Sequence, residues 1–79
     1  MRVYLIHDVK EQRRVKAYQS LVKAREFAIQ YYRHCYTSYY GDDEVKSTVL
    51  DFIKEFDTYA TAGGIAESEF VMVEPIDVE

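Results

Sequence analysis

The chain has 79 residues, of which 48% are hydrophobic, and its formal net charge is −4. This length predicts one domain, residues 1–79, and the apolar fraction excludes a disordered chain. Cys35 is the only cysteine, which excludes an intramolecular disulfide, and no apolar run is long enough to predict a membrane span.

The charges divide between the two halves of the sequence. Residues 1–40 carry eight Lys or Arg against three acidic residues, a balance of +5, whereas residues 41–79 carry two Lys against eleven acidic residues, a balance of −9. This division indicates either a charged binding surface or two halves that fold together and offset their charges locally.

Two strands are predicted at the start of the chain. Arg2–Val9 has apolar residues at consecutive positions, which indicates a central strand in the sheet. Arg13–Tyr18 alternates charged and apolar residues, and the short polar link Lys10–Gln12 predicts a hairpin between the two strands.

Two helices are predicted next. Ser20 is a suitable N-cap for a helix from Leu21 to about Tyr39, and Gly41 is placed to end it. A second helix is predicted from Glu44 to about Thr61, before a Gly-Gly pair. A final strand is predicted at 67–73, with a proline at 75 closing it.

This order, β-β-α-α-β, predicts an α+β fold. We expect a three-stranded sheet, in the order 2-1-3, with two antiparallel helices on one face. Two antiparallel helices return the chain to the end of the sheet that it left, so the last strand is predicted to run parallel to the first. If the two helices formed one kinked rod instead, the last strand would run antiparallel to the first. The arrangement with two antiparallel helices is favoured.

The first predicted helix is apolar over more than half of its circumference. One face, which includes Tyr31, Tyr32 and Tyr39, is predicted to be core. A second flank consists of Val22, Ile29, Tyr36 and Tyr40. Either the sheet and the second helix cover this flank, or it is a contact surface, for which tyrosine is well suited.

The second predicted helix carries carboxylates on its outer face. They are Asp43, Glu44, Asp51, Glu55 and Asp57, which Glu67 and Glu69 could extend. Such a row is either a solvated face or an imitation of nucleic-acid phosphates that occupies a basic cleft. The predicted protein-binding residues are therefore Val22, Ile29, Tyr36, Tyr40, Asp43, Glu44, Asp51 and Glu55.

No catalytic, metal or cofactor site is predicted. His7 and Asp8 are neighbours on a strand, so their side chains point to opposite faces. His34 and Cys35 diverge by about 100° on a helix, and Cys35 lies on the apolar face, where a thiol is usually inert. We therefore expect a protein that is not an enzyme and requires no cofactor.

Several short segments resemble small uncharacterised proteins of phages and Gram-positive bacteria. They are the opening MRVYLI, the second strand running into Ala17–Ser20, the helix start with Lys23, Ala24 and Ala28, and the closing Glu69–Glu74. The resemblance implies a mobile-element origin and a binding role. It implies, in particular, a phage-encoded inhibitor of a host defence nuclease, similar to an anti-CRISPR protein.

The leading prediction is thus a non-enzymatic, cytoplasmic protein-binding module. One alternative is a small homodimeric accessory or regulatory protein of a mobile element that buries the second flank of the first helix against its own copy, because self-association can stabilise so short a chain. Another is a nucleic-acid-binding protein that uses the basic N-terminal half. The acidic residues beside Tyr40 disfavour it, because they repel phosphates.

Overall fold

The computed structural model describes all 79 residues and confirms the α+β class. Its elements are β1 (Arg2–Asp8), β2 (Arg13–Tyr18), α1 (Leu21–Tyr40), α2 (Val45–Tyr59), β3 (Ala66–Glu67) and β4 (Val71–Asp77). A 3-10 turn, Ala60–Ala62, follows α2 directly. The first two strands and both helices lie close to their predicted bounds, whereas the last part of the chain differs.

β1 lies inside the sheet, as its apolar composition predicts. The strand order is β2-β1-β4-β3, and every neighbouring pair is antiparallel. Tyr4 and Ile6 are buried in the core on the face that packs against the helices, while Val3 and Leu5 on the other face are half-buried. β1 lies between two strands as the predicted order 2-1-3 requires, but the sheet has four strands, and the strand beside β1 is β4, with β3 at the edge.

The last strand is antiparallel to β1, so the predicted parallel strand at 67–73 is wrong. α2 does return the chain to the start of β1, where Gly63 lies beside the guanidinium of Arg2. β3 then runs towards the other end of the sheet, and the chain reverses at Ser68. The Ser68 hydroxyl accepts from the Val71 amide at 3.0 Å and donates to the Val71 carbonyl at 2.7 Å. The predicted strand is therefore two strands joined by a turn that serine stabilises.

Pro75 lies inside β4, opposite Tyr4, and does not close the strand as predicted. Proline has no N–H, so a sheet tolerates it only where that position needs no ladder hydrogen bond. β3 pairs only with Met72 and Val73, which leaves the outer edge of β4 free at Pro75. The strand therefore continues past the proline to Asp77.

The bounds of α1 follow from local sequence signals. The Ser20 hydroxyl accepts from the Lys23 amide at 3.2 Å, which satisfies a free donor in the first turn. Gly41, with φ of 84°, ends the helix and donates its amide to Thr37 at 3.0 Å. Only residues 41–44 separate the helices, and this short connection makes them antiparallel neighbours.

α1 packs against two neighbours at once. On one side, the Tyr31 hydroxyl donates to Asp8 at the end of β1. On the other, Tyr32 is buried and stacks on Phe52 of α2, with ring centroids 4.8 Å apart. The sheet and α2 together cover most of the wide apolar arc, as one of the two interpretations expects.

Two tyrosines of α1 have environments opposite to those predicted. Tyr36, expected on the contact flank, is 8% exposed, and Tyr39, expected in the core, is 61% exposed. The 20 residues of α1 span ~30 Å, whereas the 7 residues of β1 span ~23 Å, so the last turn of α1 extends beyond the sheet. Tyr39 shares the core face of the helix but lies at this overhang, with its ring 5.3 Å from that of Phe70.

The predicted second flank of α1 is not one continuous exposed surface. Val22 and Tyr40 are exposed, but they lie near opposite ends of the helix. Between them, Ile29 is half-buried against the core and Tyr36 is buried. Any contact surface that includes these tyrosines must therefore be sought at the C-terminal end of α1 alone.

Candidate functional site

All salt bridges of the chain join the first half of the sequence to the second. They are Arg2–Asp77, His7–Glu74, Lys10–Glu69 and Arg25–Asp57. These ion pairs neutralise part of the charge difference between the two halves of the sequence. These pairs use only four of the eleven acidic residues in the second half, so most of its carboxylates have no internal partner.

Six carboxylates line two adjoining openings between the helices and the β3–β4 turn. We call this surface the acidic band, which consists of Asp43, Glu44, Asp51, Glu55, Glu67 and Glu69. Only Glu69 has a salt-bridge partner, because Lys10 Nζ lies 3.4 Å from its Oε1. The two cations of α2, Lys46 and Lys54, form no salt bridge with the band.

Tyrosines lie beside the band where α1 ends. Tyr36, Tyr40, Asp43, Glu44 and Glu69 line an open groove of about 480 Å³, which we call the tyrosine–acid groove. Gly41 ends α1 directly after Tyr40, and the short connection places Asp43 and Glu44 next to the tyrosines. The groove therefore combines aromatic rings, hydroxyl groups and carboxylates, all of which interact favourably with a cation.

A hydrogen bond organises the wall of the groove. The Tyr40 hydroxyl donates to Glu69 Oε1 at 2.6 Å, and the rings of Tyr36 and Tyr40 lie 5.1 Å apart. The bond from Tyr40, with a smaller contribution from Lys10, lowers the pKa of Glu69 below its ordinary value. Glu69 is therefore ionised at neutral pH and holds Tyr40 against the β3–β4 turn.

A smaller depression of about 210 Å³ continues the band along α2 and β3. Its lining residues are Tyr32, Thr48, Asp51, Phe52, Glu55, Glu67 and Ser68. Burial, followed by the charge of Glu69, raises the pKa of Tyr32 to about 12, and Tyr36, Asp51 and Tyr40 contribute less. Tyr32 thus lies close to carboxylates that line both openings.

Six of the eight predicted protein-binding residues line these two openings. The groove includes Tyr36, Tyr40, Asp43 and Glu44, and the depression includes Asp51 and Glu55. Val22 and Ile29 line neither. The sequence predicts Tyr32 only as a core residue. Its position beside the depression depends on how α2 packs against α1, which no local sequence signal shows.

A third opening, of about 230 Å³, lies between the β1–β2 hairpin and α1. It is lined by Asp8, Lys10, Glu11, Arg13, Tyr31, His34, Cys35, Ser38, Tyr39 and Phe70. Asp8 is the only buried charged residue of the chain. One of its oxygens accepts from the Glu11 amide at 2.8 Å, and the other accepts from the Tyr31 hydroxyl. Asp8 therefore fixes the hairpin turn and anchors α1 to it, which is a structural role.

The Asp8–Tyr31 pair shifts the pKa of both groups. Burial opposes ionisation of Asp8, but hydrogen bonds from Tyr31 and from turn amides outweigh it and lower the pKa of Asp8. The bond to Asp8, with burial, raises the pKa of Tyr31 to about 12. Both shifts favour a carboxylate that accepts from a neutral phenol across the neutral pH range.

The remaining polar residues of interest are Cys35 and His7. Burial, and then the charge of Asp8, raises the pKa of the Cys35 thiol, whereas a nucleophilic cysteine needs a lowered pKa. His7 approaches Glu74, with 3.3 Å between Nε2 and Oε1, and does not pair with Asp8. No group of three or more His, Cys, Asp or Glu side chains is placed to hold a metal ion.

Comparisons with protein-family models, curated proteins and solved structures found no match to this chain. Within the fold, neither helix combines the length and the apolar character that crossing a bilayer requires. The functional interpretation therefore depends on the chain's own surface. Its most distinctive features are the acidic band and the tyrosine–acid groove.

The Asp8–Tyr31 bond predicts a pH-dependent stability. We expect Tyr31→Phe to lower the free energy of unfolding at pH 7 by about 1.5–3 kcal/mol, because a buried carboxylate loses a donor. The folded pKa of Asp8 is lowered, so this difference is fully present above about pH 4 and shrinks as the pH falls through the lowered pKa and Asp8 is protonated. The folded pKa of Tyr31 is raised to about 12, so the difference also shrinks as the pH rises from about 10 to 12.

Urea unfolding at pH 3, 7 and 11 measures this dependence. Tyr39→Phe is the matched control, because its hydroxyl belongs to an exposed residue outside the pair. We expect it to change stability little at any pH. A loss of stability in Tyr31→Phe that is the same at pH 3, 7 and 11 would show that the bond does not contribute.

Proposed function

We propose that this chain is a non-enzymatic protein-binding module that engages a basic surface of its partner through the acidic band. The observation that carries the proposal is that five of the six carboxylates of the band have no salt-bridge partner. Seven of the ten Lys and Arg residues are also outside salt bridges, so cations exist that could have neutralised the band. Unneutralised charge on one side steers a complementary partner and favours its docking.

We further propose that the partner is a host defence nuclease, such as a CRISPR nuclease, and that the chain is a phage or prophage inhibitor. Nucleases of this kind hold nucleic acid in channels lined with Lys and Arg, which contact phosphates. Carboxylates spaced along α2 and β3 present a comparable row of negative charges on a folded scaffold. The chain would occupy the channel in place of nucleic acid, and no chemical step is required.

The distribution of cations argues against direct binding of nucleic acid. Arg13, Arg14 and Lys16 are exposed on β2, at the opposite edge of the sheet from β3. Tyr36 and Tyr40 lie among carboxylates instead. A single-strand binder combines its stacking rings with a basic groove, whereas here the two features are separated.

The proposal predicts that reversing charge in the acidic band weakens inhibition. We expect the chain to block DNA cleavage by at least one member of a panel of purified CRISPR nucleases from Gram-positive bacteria. The double variant Asp51→Lys/Glu55→Lys should raise the concentration needed for half-inhibition about tenfold or more, because it places cations against a basic cleft. Added salt should weaken inhibition by the native chain.

The control is Glu26→Lys/Glu79→Lys, which changes the net charge equally at exposed positions outside the band. It should inhibit within about threefold of the native chain, since long-range charge alone is screened. No inhibition across the panel would refute the nuclease proposal. Equal weakening by both double variants would refute the specific role of the band.

The uncovered outer face of the sheet favours a second candidate, a small homodimeric accessory or regulatory protein of a mobile element. Val3, Leu5 and Met72 are half-buried on this face, and both helices lie on the other. Face-to-face packing of two such sheets would cover them. This candidate predicts the mass of a dimer in light scattering over a range of concentrations, and a shift to monomer in Leu5→Lys. A monomeric mass throughout would exclude it.

A further inference from the structure

Two buried tyrosines that line the openings beside the acidic band have hydroxyl groups without a hydrogen-bond partner within the chain. Tyr32 and Tyr36 are 5% and 8% exposed, yet neither hydroxyl forms a hydrogen bond within the chain, although buried tyrosine hydroxyls usually find one. No fully buried side-chain oxygen or nitrogen lacks a partner, so both hydroxyls must reach solvent. Tyr36 lines the tyrosine–acid groove and Tyr32 the adjoining depression, and these openings are where the hydroxyls are available to a ligand.

The same part of the molecule already holds one cation of its own. Lys10 Nζ lies 3.4 Å from Glu69 Oε1, and it lies 5.5 Å and 5.7 Å from the ring centroids of Tyr39 and Phe70. A carboxylate and aromatic faces therefore bind an ammonium group on one side of Glu69. The tyrosine–acid groove, on the side of Tyr40, offers the same chemical groups without an internal cation.

We propose that the tyrosine–acid groove binds the guanidinium group of an arginine side chain. Its carboxylates are Asp43, Glu44 and Glu69, of which the first two have no salt-bridge partner. A guanidinium group donates from five N–H bonds in one plane, so it can contact carboxylates and a hydroxyl oxygen together while its face lies on a ring. The exposed ring of Tyr40 is the stacking surface, and the Tyr36 hydroxyl is an acceptor.

Arginine fits this arrangement better than lysine does. An ammonium group is a compact, strongly hydrated charge with three donors, and it cannot stack on a ring as a flat guanidinium does. The groove is open and therefore keeps part of the hydration of any cation, so selectivity must come from stacking and from several hydrogen bonds at once. This inference rests on the proposed function and names the side chain by which a basic partner is recognised.

The test compares capped hexa-arginine with capped hexa-lysine, which carry equal charge, by calorimetric titration of the full chain at low ionic strength. We expect the arginine peptide to bind about fivefold more tightly. Tyr40→Leu should remove this preference, because it removes the ring on which the flat guanidinium group stacks. Tyr59→Leu, which replaces an exposed tyrosine outside the groove, should retain the preference.

A second pair of variants tests the carboxylates. Asp43→Asn/Glu44→Gln keeps the shape of exposed side chains and should weaken binding of both peptides about tenfold. Glu26→Gln/Glu79→Gln removes the same charge elsewhere and should weaken it within about threefold. Equal affinities for the two peptides, no binding of either, or a preference that survives Tyr40→Leu would overturn the proposal.

The two proposals fail in different ways. If the chain prefers the arginine peptide but inhibits no nuclease, the groove is an arginine site and the proposal of a nuclease partner is refuted. Inhibition by a chain that does not distinguish the two peptides would refute the arginine site and leave the acidic band as the contact. The outcome with Asp51→Lys/Glu55→Lys does not affect this distinction, because those residues lie outside the groove.

Discussion

α1 is longer than the sheet on which it packs, and this difference in length governs the arrangement of the chain. Along most of its length the helix has two neighbours, the sheet and α2, which cover most of its apolar side chains up to Tyr36, although Val22 is exposed. Its last turn extends past the sheet, and Tyr39 and Tyr40 remain exposed. Gly41 ends the helix there, and the connection to α2 and the β3–β4 turn bring carboxylates to the same place. A tyrosine cluster at a helix end thus becomes part of an acidic surface.

The charge distribution follows from the same topology. α2 runs back along α1, and the salt bridges that join the two halves of the chain form where strands or helices meet, as between Arg25 and Asp57 at 2.9 Å. Within the acidic band only Glu69 pairs with a cation, Lys10 of the connection between β1 and β2. The other five lie together on one surface without a salt-bridge partner, and this is the physical basis for proposing a basic partner.

The sequence predicts elements that depend on local signals and fails where the outcome depends on packing. Ser20 and Gly41 define α1 because caps act within one turn, and β1 is internal because its apolar residues are consecutive. The turn at Ser68 was missed because no glycine or proline marks it; the serine hydroxyl alone bridges it. The sequence predicts that Tyr39 is buried and Tyr36 exposed, and the structure has the reverse. A helical wheel gives the direction in which a side chain points, but it does not show where along the helix the sheet ends. The Asp8–Tyr31 bond joins residues 23 positions apart and has no local signal.

The spacing of the acidic residues on one helix predicts that they share a surface. It does not predict that Tyr36 and Tyr40 lie beside that surface. The central claim is that the groove where the two meet attracts a flat cation. The most direct measurement is a nuclear magnetic resonance titration of the chain, labelled at its tyrosine rings, with methylguanidinium at low salt. The ring signals of Tyr36 and Tyr40 should shift with the added cation, while those of Tyr18 and Tyr59 stay unchanged. Equal shifts at all tyrosines, or none at Tyr36 and Tyr40, would contradict the claim.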